Sequence, residues 1–314
     1  MTDLQRYIID EWKEEYDAGR FDRRELLRRL VLMAGGAAFV APILRLLGLS
    51  ASSAEIAEAA SSPASLTAQA SGIMVPPDDP TIQTESLTLT DPAGQSPPVM
   101  AYRAGPRSGG PFPGVVVIHE NRGLLEHFRD VARRLAKNGY VGLAVDLLSH
   151  QGGTARFSDS AQASAALGQT PPEQLVAMAN VGARRLPDLS GMRRDRIGAM
   201  GYCFGGGITW RLATQNPDLK AVAPFYGSSP PLGDVPKIKA AVLAVYAGLD
   251  DRINAGIPAI REAMQRAGVV HDIVVFPDAN HGFFNDTGAI YKQDAARGAW
   301  ERVLGWFERH LKTP

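Results

Sequence analysis

The chain has 314 residues, 45% of them hydrophobic and 21% charged, a composition that excludes wholesale disorder. Lys+Arg and Asp+Glu each total 33, so no net field draws nucleic acid or an anionic membrane to it. A single cysteine, Cys203, excludes an intrachain disulfide framework and a four-thiolate zinc site.

Residues 1–22 are polar and charged, and Arg23-Arg24-Glu25-Leu26-Leu27-Arg28 follows. An apolar stretch then covers residues 30–49, broken by Arg45, and an Ala/Ser-rich segment covers residues 50–72. Basic region, apolar stretch and small-residue tail form the grammar of an export signal. The arginine pair resembles a twin-arginine signal, with Asp22 where such motifs usually carry Ser or Thr. Ala68-Gln69-Ala70 and Ala57-Glu58-Ala59 fit an A-x-A cleavage site. Export, to the periplasm, is therefore expected. The alternative is a helix that stays attached, packed on the domain or lying in a membrane. About twenty residues suffice to cross a bilayer core, but Gly35-Gly36, Pro42 and Arg45 make a poor permanent span.

Residues 73–314 read as one α/β domain. Residues 85–90 and 99–103 alternate as antiparallel strands do, on either side of the turn-rich Asp91-Pro92-Ala93-Gly94. Residues 115–119 form a continuous apolar run, the mark of a strand buried on both faces. Residues 126–137 carry Phe128, Val131, Ala132 and Leu135 at helical spacing, and 140–147 is another buried strand. Helices are expected at 173–185, 205–214, 257–267 and 290–311, and strands at 196–202, 221–226, 240–247 and 271–276. Such alternation predicts a mostly parallel sheet with helices on both faces, and ligands then lie at the carboxyl ends of the strands.

The most informative segment is Gly201-Tyr202-Cys203-Phe204-Gly205-Gly206, between an expected strand and an expected helix. G-x-C-x-G in that place is a nucleophile elbow with cysteine for serine. The tight turn leaves no room for side chains at Gly201 and Gly205. It lifts the Cys203 sulfur above the sheet at a helix N-terminus, where thiolate is favoured, and the Phe204 N–H becomes an oxyanion donor. In other settings a free cysteine is more often a small core residue. The glycines form neither a P-loop nor a dinucleotide fingerprint.

A cysteine nucleophile needs a base, and the base an orienting acid. Of the six histidines, His281 lies in a loop beyond the strand at 271–276, where the site is expected. His127, His271 and His310 read as surface or packing residues, His119 as a satisfied core imidazole, and His150 falls in a loop without pattern. Asp250 and Asp251 follow the strand at 240–247, and Asp250 is the expected acid. The order Cys203, Asp250, His281 is that of α/β-hydrolases. Glu120 lies at the end of the first long buried strand, either paired with Arg122 at the surface or a hydrogen-bond acceptor that holds the Cys203 thiol neutral until substrate displaces it.

These residues resemble the dienelactone hydrolases (carboxymethylenebutenolidases) of the α/β-hydrolase fold. The matching segments are His119-Glu120-Asn121-Arg122-Gly123-Leu124, the elbow at Cys203, Gly248-Leu249-Asp250 and Asn280-His281-Gly282-Phe283. The resemblance covers about residues 83–312. It implies a cofactor-free and metal-free hydrolase of small esters or lactones working through an acyl-enzyme on Cys203. His281, oriented by Asp250, would move the protons, Glu120 would control the thiol proton, and the Asn121 and Phe204 backbone N–H groups would hold the oxyanion. Family members acting on dienelactone grip its carboxylate with an arginine just after the histidine, whereas Gly282-Phe283-Phe284-Asn285-Asp286 has none. The resemblance thus implies the hydrolase chemistry without naming a substrate. A broader carboxylesterase or thioesterase and a non-catalytic binding protein of the same fold are the alternatives. Tyr226, Tyr246 and Phe204 read as packing residues or pocket lining. The expected partner is a small molecule; no nucleic acid is expected, and a membrane only through a retained N-terminal segment.

Overall fold

The computed structural model describes residues 1–62, 72, 74–91, 94 and 96–313; Ala68-Gln69-Ala70 lies outside them. Four helices open the chain: α1 (Asp3–Asp17), α2 (Arg23–Ala34), α3 (Ala41–Leu46) and α4 (Ser53–Ala60). Then follow β1 (Ile82–Leu89), β2 (Val99–Pro106), β3 (Phe112–Ile118), α5 (Glu126–Lys137), β4 (Val141–Val145), α6 (Ser160–Gln169) and α7 (Pro172–Arg185). The second half runs β5 (Met192–Tyr202), α8 (Phe204–Gln215), β6 (Leu219–Phe225), β7 (Ala241–Ala247), α9 (Asp251–Asn254), α10 (Ile257–Ala267), β8 (His271–Phe276) and α11 (Gln293–Phe307).

The eight strands form one sheet in the order β1-β2-β4-β3-β5-β6-β7-β8. β1 pairs with β2, and β2 with β4, antiparallel; all later pairings are parallel. The sheet is mostly parallel and flanked by helices, the α/β-hydrolase architecture expected from the alternation of periods. Val115, Val116, Val117 and Ile118 of β3 are fully buried, because helices cover both faces and no solvated face remains to select polar residues. On α5, Phe128, Val131, Ala132 and Leu135 form the buried stripe. After β3 the chain winds to β4 on one side, and β5 then lies on the other side of β3. A reversal of this kind opens a crevice at the strands' carboxyl ends.

Several elements differ from expectation: β1 starts at Ile82 rather than 85, and β5 at Met192 rather than 196. The last helix starts at Gln293 rather than 290, because Lys292 is still extended (φ −122°, ψ 96°). The segment around His150, without readable pattern, contains α6, whose Ala- and Ser-rich sequence supplies little apolar periodicity.

The N-terminal helices are built by ordinary capping and packing. Thr2 and Gln5 close a capping box on α1, and Asp22 accepts the Glu25 N–H at 2.8 Å to start α2. Leu4, Ile8 and Trp12 of α1 are buried, each side chain contributing about 1.5–3 kcal/mol. α1 packs against α2, α6 and α8. Ala57-Glu58-Ala59 lies within α4. Among the described residues no single helix is long and apolar enough to cross a membrane, although the pair Arg23–Ala34 and Ala37–Leu46, bent by 94°, passes on length and composition together.

Candidate active site

β5 ends at Tyr202, α8 begins at Phe204, and Cys203 takes the turn between them with φ 56° and ψ −121°. A positive φ strains a residue with a Cβ, and such strain persists only where the surroundings enforce it. Here the flanking glycines allow it. A Cβ on Gly201 would collide with the Gly205 carbonyl and Thr209, and one on Gly205 with the carbonyls of Ile118 and His119. The strand and helix thus approach each other across the turn, and Cys203 stands at the β3/β5 crevice.

The segment after β3 supplies the opposite wall. His119 is wholly buried; its Nδ1 lies 2.6 Å from the Glu120 carbonyl, and its Nε2 accepts the Leu147 N–H at 3.0 Å. Burial holds its pKa below the ordinary value, which makes it a neutral spacer of the core. Glu120 accepts a hydrogen bond from Asn285 Nδ2 at 3.0 Å. Asn121 is buried, and its side-chain amide faces the site. The Phe204 backbone N–H is directed at the Cys203 sulfur.

β7 and β8 deliver the remaining pair. Asp250 is the N-cap of α9: one oxygen accepts the Ile253 N–H at 3.3 Å, and the other lies 2.5 Å from His281 Nδ1. Asp251, the next residue, is exposed and lines the cavity beside Cys203; the hydrogen bond to His281 belongs to Asp250. Burial alone would lower the His281 pKa, but the hydrogen bond and charge of Asp250, with the charge of Glu11, outweigh it and hold the imidazole above its ordinary value. Cys203 is 2% exposed. Burial, then the charges of Glu11 and Glu120, pushes its thiol pKa well up, more than the hydrogen bonds from Tyr7 and the Phe204 N–H lower it. The resting sulfur is a thiol rather than the thiolate that the elbow alone would favour.

Two further residues reach the sulfur from α1. The Tyr7 hydroxyl lies 3.6 Å from Cys203 Sγ, 3.4 Å from His281 Nε2 and 3.5 Å from the Tyr226 carbonyl. The thiol faces both oxygens of Glu11, at 3.3 and 3.5 Å, and Asn121 Nδ2 donates to Glu11 at 3.1 Å. Neither residue was found by sequence reasoning, although the spacing of Leu4, Ile8 and Trp12 marks residues 3–17 as an amphipathic helix. Glu11, Cys203 and His281 each bring one ligand atom within 4.8 Å of the others, a donor set that suits a zinc-type ion as well as proton transfer.

A cavity of about 1040 Å³ opens beside Cys203, lined among others by Glu120, Arg122, Arg252, His281 and Ile290. Tyr226, Tyr246 and Phe204 do not line it; all three are buried, and the Tyr226 ring packs 5.0 Å from that of His281. The other histidines stand elsewhere. His127 is buried against Asp286 at 2.8 Å, His150 contacts Thr170, His271 lies 2.7 Å from the Val269 carbonyl, and His310 packs on Trp306.

A parallel sheet reversing at β3/β5, with a residue of positive φ at the strand–helix elbow, defines a hydrolase of the α/β-hydrolase fold. Residues 99–311 match the model of the dienelactone hydrolase family, and the chain belongs to that family. It is 36% identical over 226 residues to a provisionally named carboxymethylenebutenolidase of Methylorubrum extorquens, covering 68% of this chain and 77% of that protein. It is 33% identical over 258 residues to one so named from Escherichia coli K12, covering 77% and 92%. A provisionally named dienelactone hydrolase from Klebsiella pneumoniae superposes with a TM-score of 0.67 at 31% identity, covering 73% of this chain and 99% of that structure.

Proposed function

We propose that the protein hydrolyses small carboxylic esters or lactones through an acyl-enzyme on Cys203. The observation that carries this reading is the convergence, at the carboxyl ends of β5, β7 and β8, of a thiol on an elbow and an imidazole held 2.5 Å from a buried carboxylate. The Cys203 sulfur bonds to the acyl carbon while its proton passes to His281 Nε2. The C–O bond then breaks, and the leaving oxygen takes that proton. A water attacks the thioester, gives its proton to His281, and releases the acid as the thiol reforms. Asp250 fixes the imidazole tautomer and steadies the transient imidazolium. The Phe204 N–H, with that of Asn121, stabilises the oxyanion. Glu120, anchored by Asn285, adds negative charge beside the sulfur and keeps it a thiol until substrate arrives. The carboxymethylenebutenolidase names of the relatives support a lactone as one substrate class.

The test is hydrolysis of a panel of p-nitrophenyl esters and small lactones by the full chain and by Cys203→Ala. Activity that disappears in a folded Cys203→Ala protein supports the assignment; activity that survives overturns it. Export with the N-terminal segment retained is proposed from a separate observation. Arg23 and Arg24 keep side-chain exposures of 39% and 53%, ahead of the apolar stretch. Cell fractionation with the Arg23→Lys/Arg24→Lys pair tests it, and an unchanged distribution would remove it.

A further inference from the structure

Helix α1 occupies the mouth of the site. The Tyr7 hydroxyl touches both the sulfur and His281 Nε2, so it stands where the thiol proton has to pass. The Glu11 carboxylate lies on the sulfur and takes the Asn121 amide as a donor, much as the carboxyl group of an acid product lies on a nucleophile before release. An acyl carbon needs roughly 3–3.5 Å of approach to the sulfur; Cys203 lines the cavity but is only 2% exposed, and Tyr7 and Glu11 stand 3.3–3.6 Å from its sulfur. The helix is held there by its buried apolar stripe, by Arg29 of α2 on Glu15 at 3.1 Å, and by charge pairs with the domain. Asp3 pairs with Arg211 of α8, Glu14 with Arg252 at 2.8 Å, and Glu15 with Arg122 at 3.1 Å. The Arg252 guanidinium also lies 4.7 Å from the Tyr7 ring centroid. The ion pairs are partly exposed, the kind of contact that salt weakens. A link of five residues, 18–22, joins α1 to α2, so α1 can lift while α2 stays in place.

We propose that α1 is a tethered occupant of the active site: Tyr7 and Glu11 cap Cys203 in the resting chain, and substrate reaches the sulfur when α1 leaves the domain arginines. The proposal rests on Cys203 being the nucleophile. Because Cys203 is the sole cysteine, its accessibility can be read without turnover, by the rate of iodoacetamide alkylation followed by intact mass. The variants are Asp3→Arg/Glu14→Arg, which places like charges against Arg211 and Arg252 without altering the site, and Glu11→Gln, which removes the carboxyl group of the cap. Both are measured in the full chain, with circular dichroism to verify folding.

For the double variant, alkylation and kcat/KM for a p-nitrophenyl ester rise together by about tenfold or more. The wild-type chain moves toward the variant at about 0.5 M salt, and Glu11→Gln gains as well. Unchanged or slower alkylation in a folded double variant overturns the proposal. So does a Glu11→Gln protein that loses kcat/KM while its alkylation stays unchanged, since Glu11 is then a working group of the reaction. Faster alkylation with no ester or lactone cleaved by any form supports the cap and instead removes the hydrolase reading.

Discussion

Two carboxylates stand beside Cys203, and they come from regions built in different ways. Glu120 follows β3, at the centre of the parallel sheet, and is fixed by Asn285 from the loop that also carries His281. Glu11 comes from α1, a helix that meets the domain through one apolar stripe and a set of partly exposed ion pairs. Sheet-borne groups keep their geometry because moving them would break the core, and preorganisation of that kind is what a reaction needs. Groups on a docked helix can be withdrawn at the cost of that helix's own contacts alone, which suits control. Both charges push the thiol pKa up, but only Glu11 touches the sulfur.

The largest expected effect lies on the sheet side. Cys203→Ala lowers kcat/KM for a cleaved ester by about 10⁴-fold or more, read by steady-state hydrolysis. Asp250→Asn follows, with a loss of about 10²–10⁴-fold and a change in pH profile. His281 acts as a base when neutral, and its pKa is raised, so the wild-type rate climbs with pH along a limb centred above the ordinary histidine value. Without the Asp250 charge and hydrogen bond that limb moves to lower pH; an unmoved limb would separate Asp250 from the imidazole.

Stability separates the two regions more finely. Gly205→Ala forces a Cβ against the Ile118 and His119 carbonyls and costs about 3 kcal/mol or more in urea unfolding. Ile8→Ala on α1 removes a buried side chain but costs less than the about 2–5 kcal/mol typical of core truncation, because α1 detaches first. Its signature is faster proteolysis before residue 22 with the domain midpoint nearly unchanged. Equal losses of global stability at the two sites would make α1 part of the cooperative core. The smallest effect is Asn285→Ala, which frees Glu120 and the Thr287 turn and changes kcat/KM by about tenfold, the low end for a hydrogen bond to a charged group (about 1.5 kcal/mol).

The elbow was legible because its chemistry restricts the sequence. A turn that brings strand and helix together excludes Cβ atoms at residues 201 and 205, so glycines surround Cys203 wherever the backbone adopts this shape. His281 and the Asp250–Asp251 pair were legible from the rule that sites lie beyond strand ends, and capping geometry separates the two acids, since Asp250 is the N-cap of α9 and Asp251 its first helical residue. The covering helix was not legible. The pattern of Leu4, Ile8 and Trp12 says that one face of residues 3–17 is covered, and nothing local says by what. Contacts across 192 residues, such as Glu11 with Cys203, leave no periodic trace. An export-like segment following at once gave the charged N-terminus another reading. A neutral thiol was legible only through Glu120; the part of Glu11 was missed for the same reason, since its charge comes from far along the chain.

The most direct measurement is the intact mass of the full chain, acid-quenched during turnover of a cleaved ester, with peptide mapping of any adduct. Cys203 as nucleophile predicts an added acyl mass on the peptide containing Cys203, absent from Cys203→Ala. Turnover with no adduct on that peptide, and undiminished in Cys203→Ala, would contradict it.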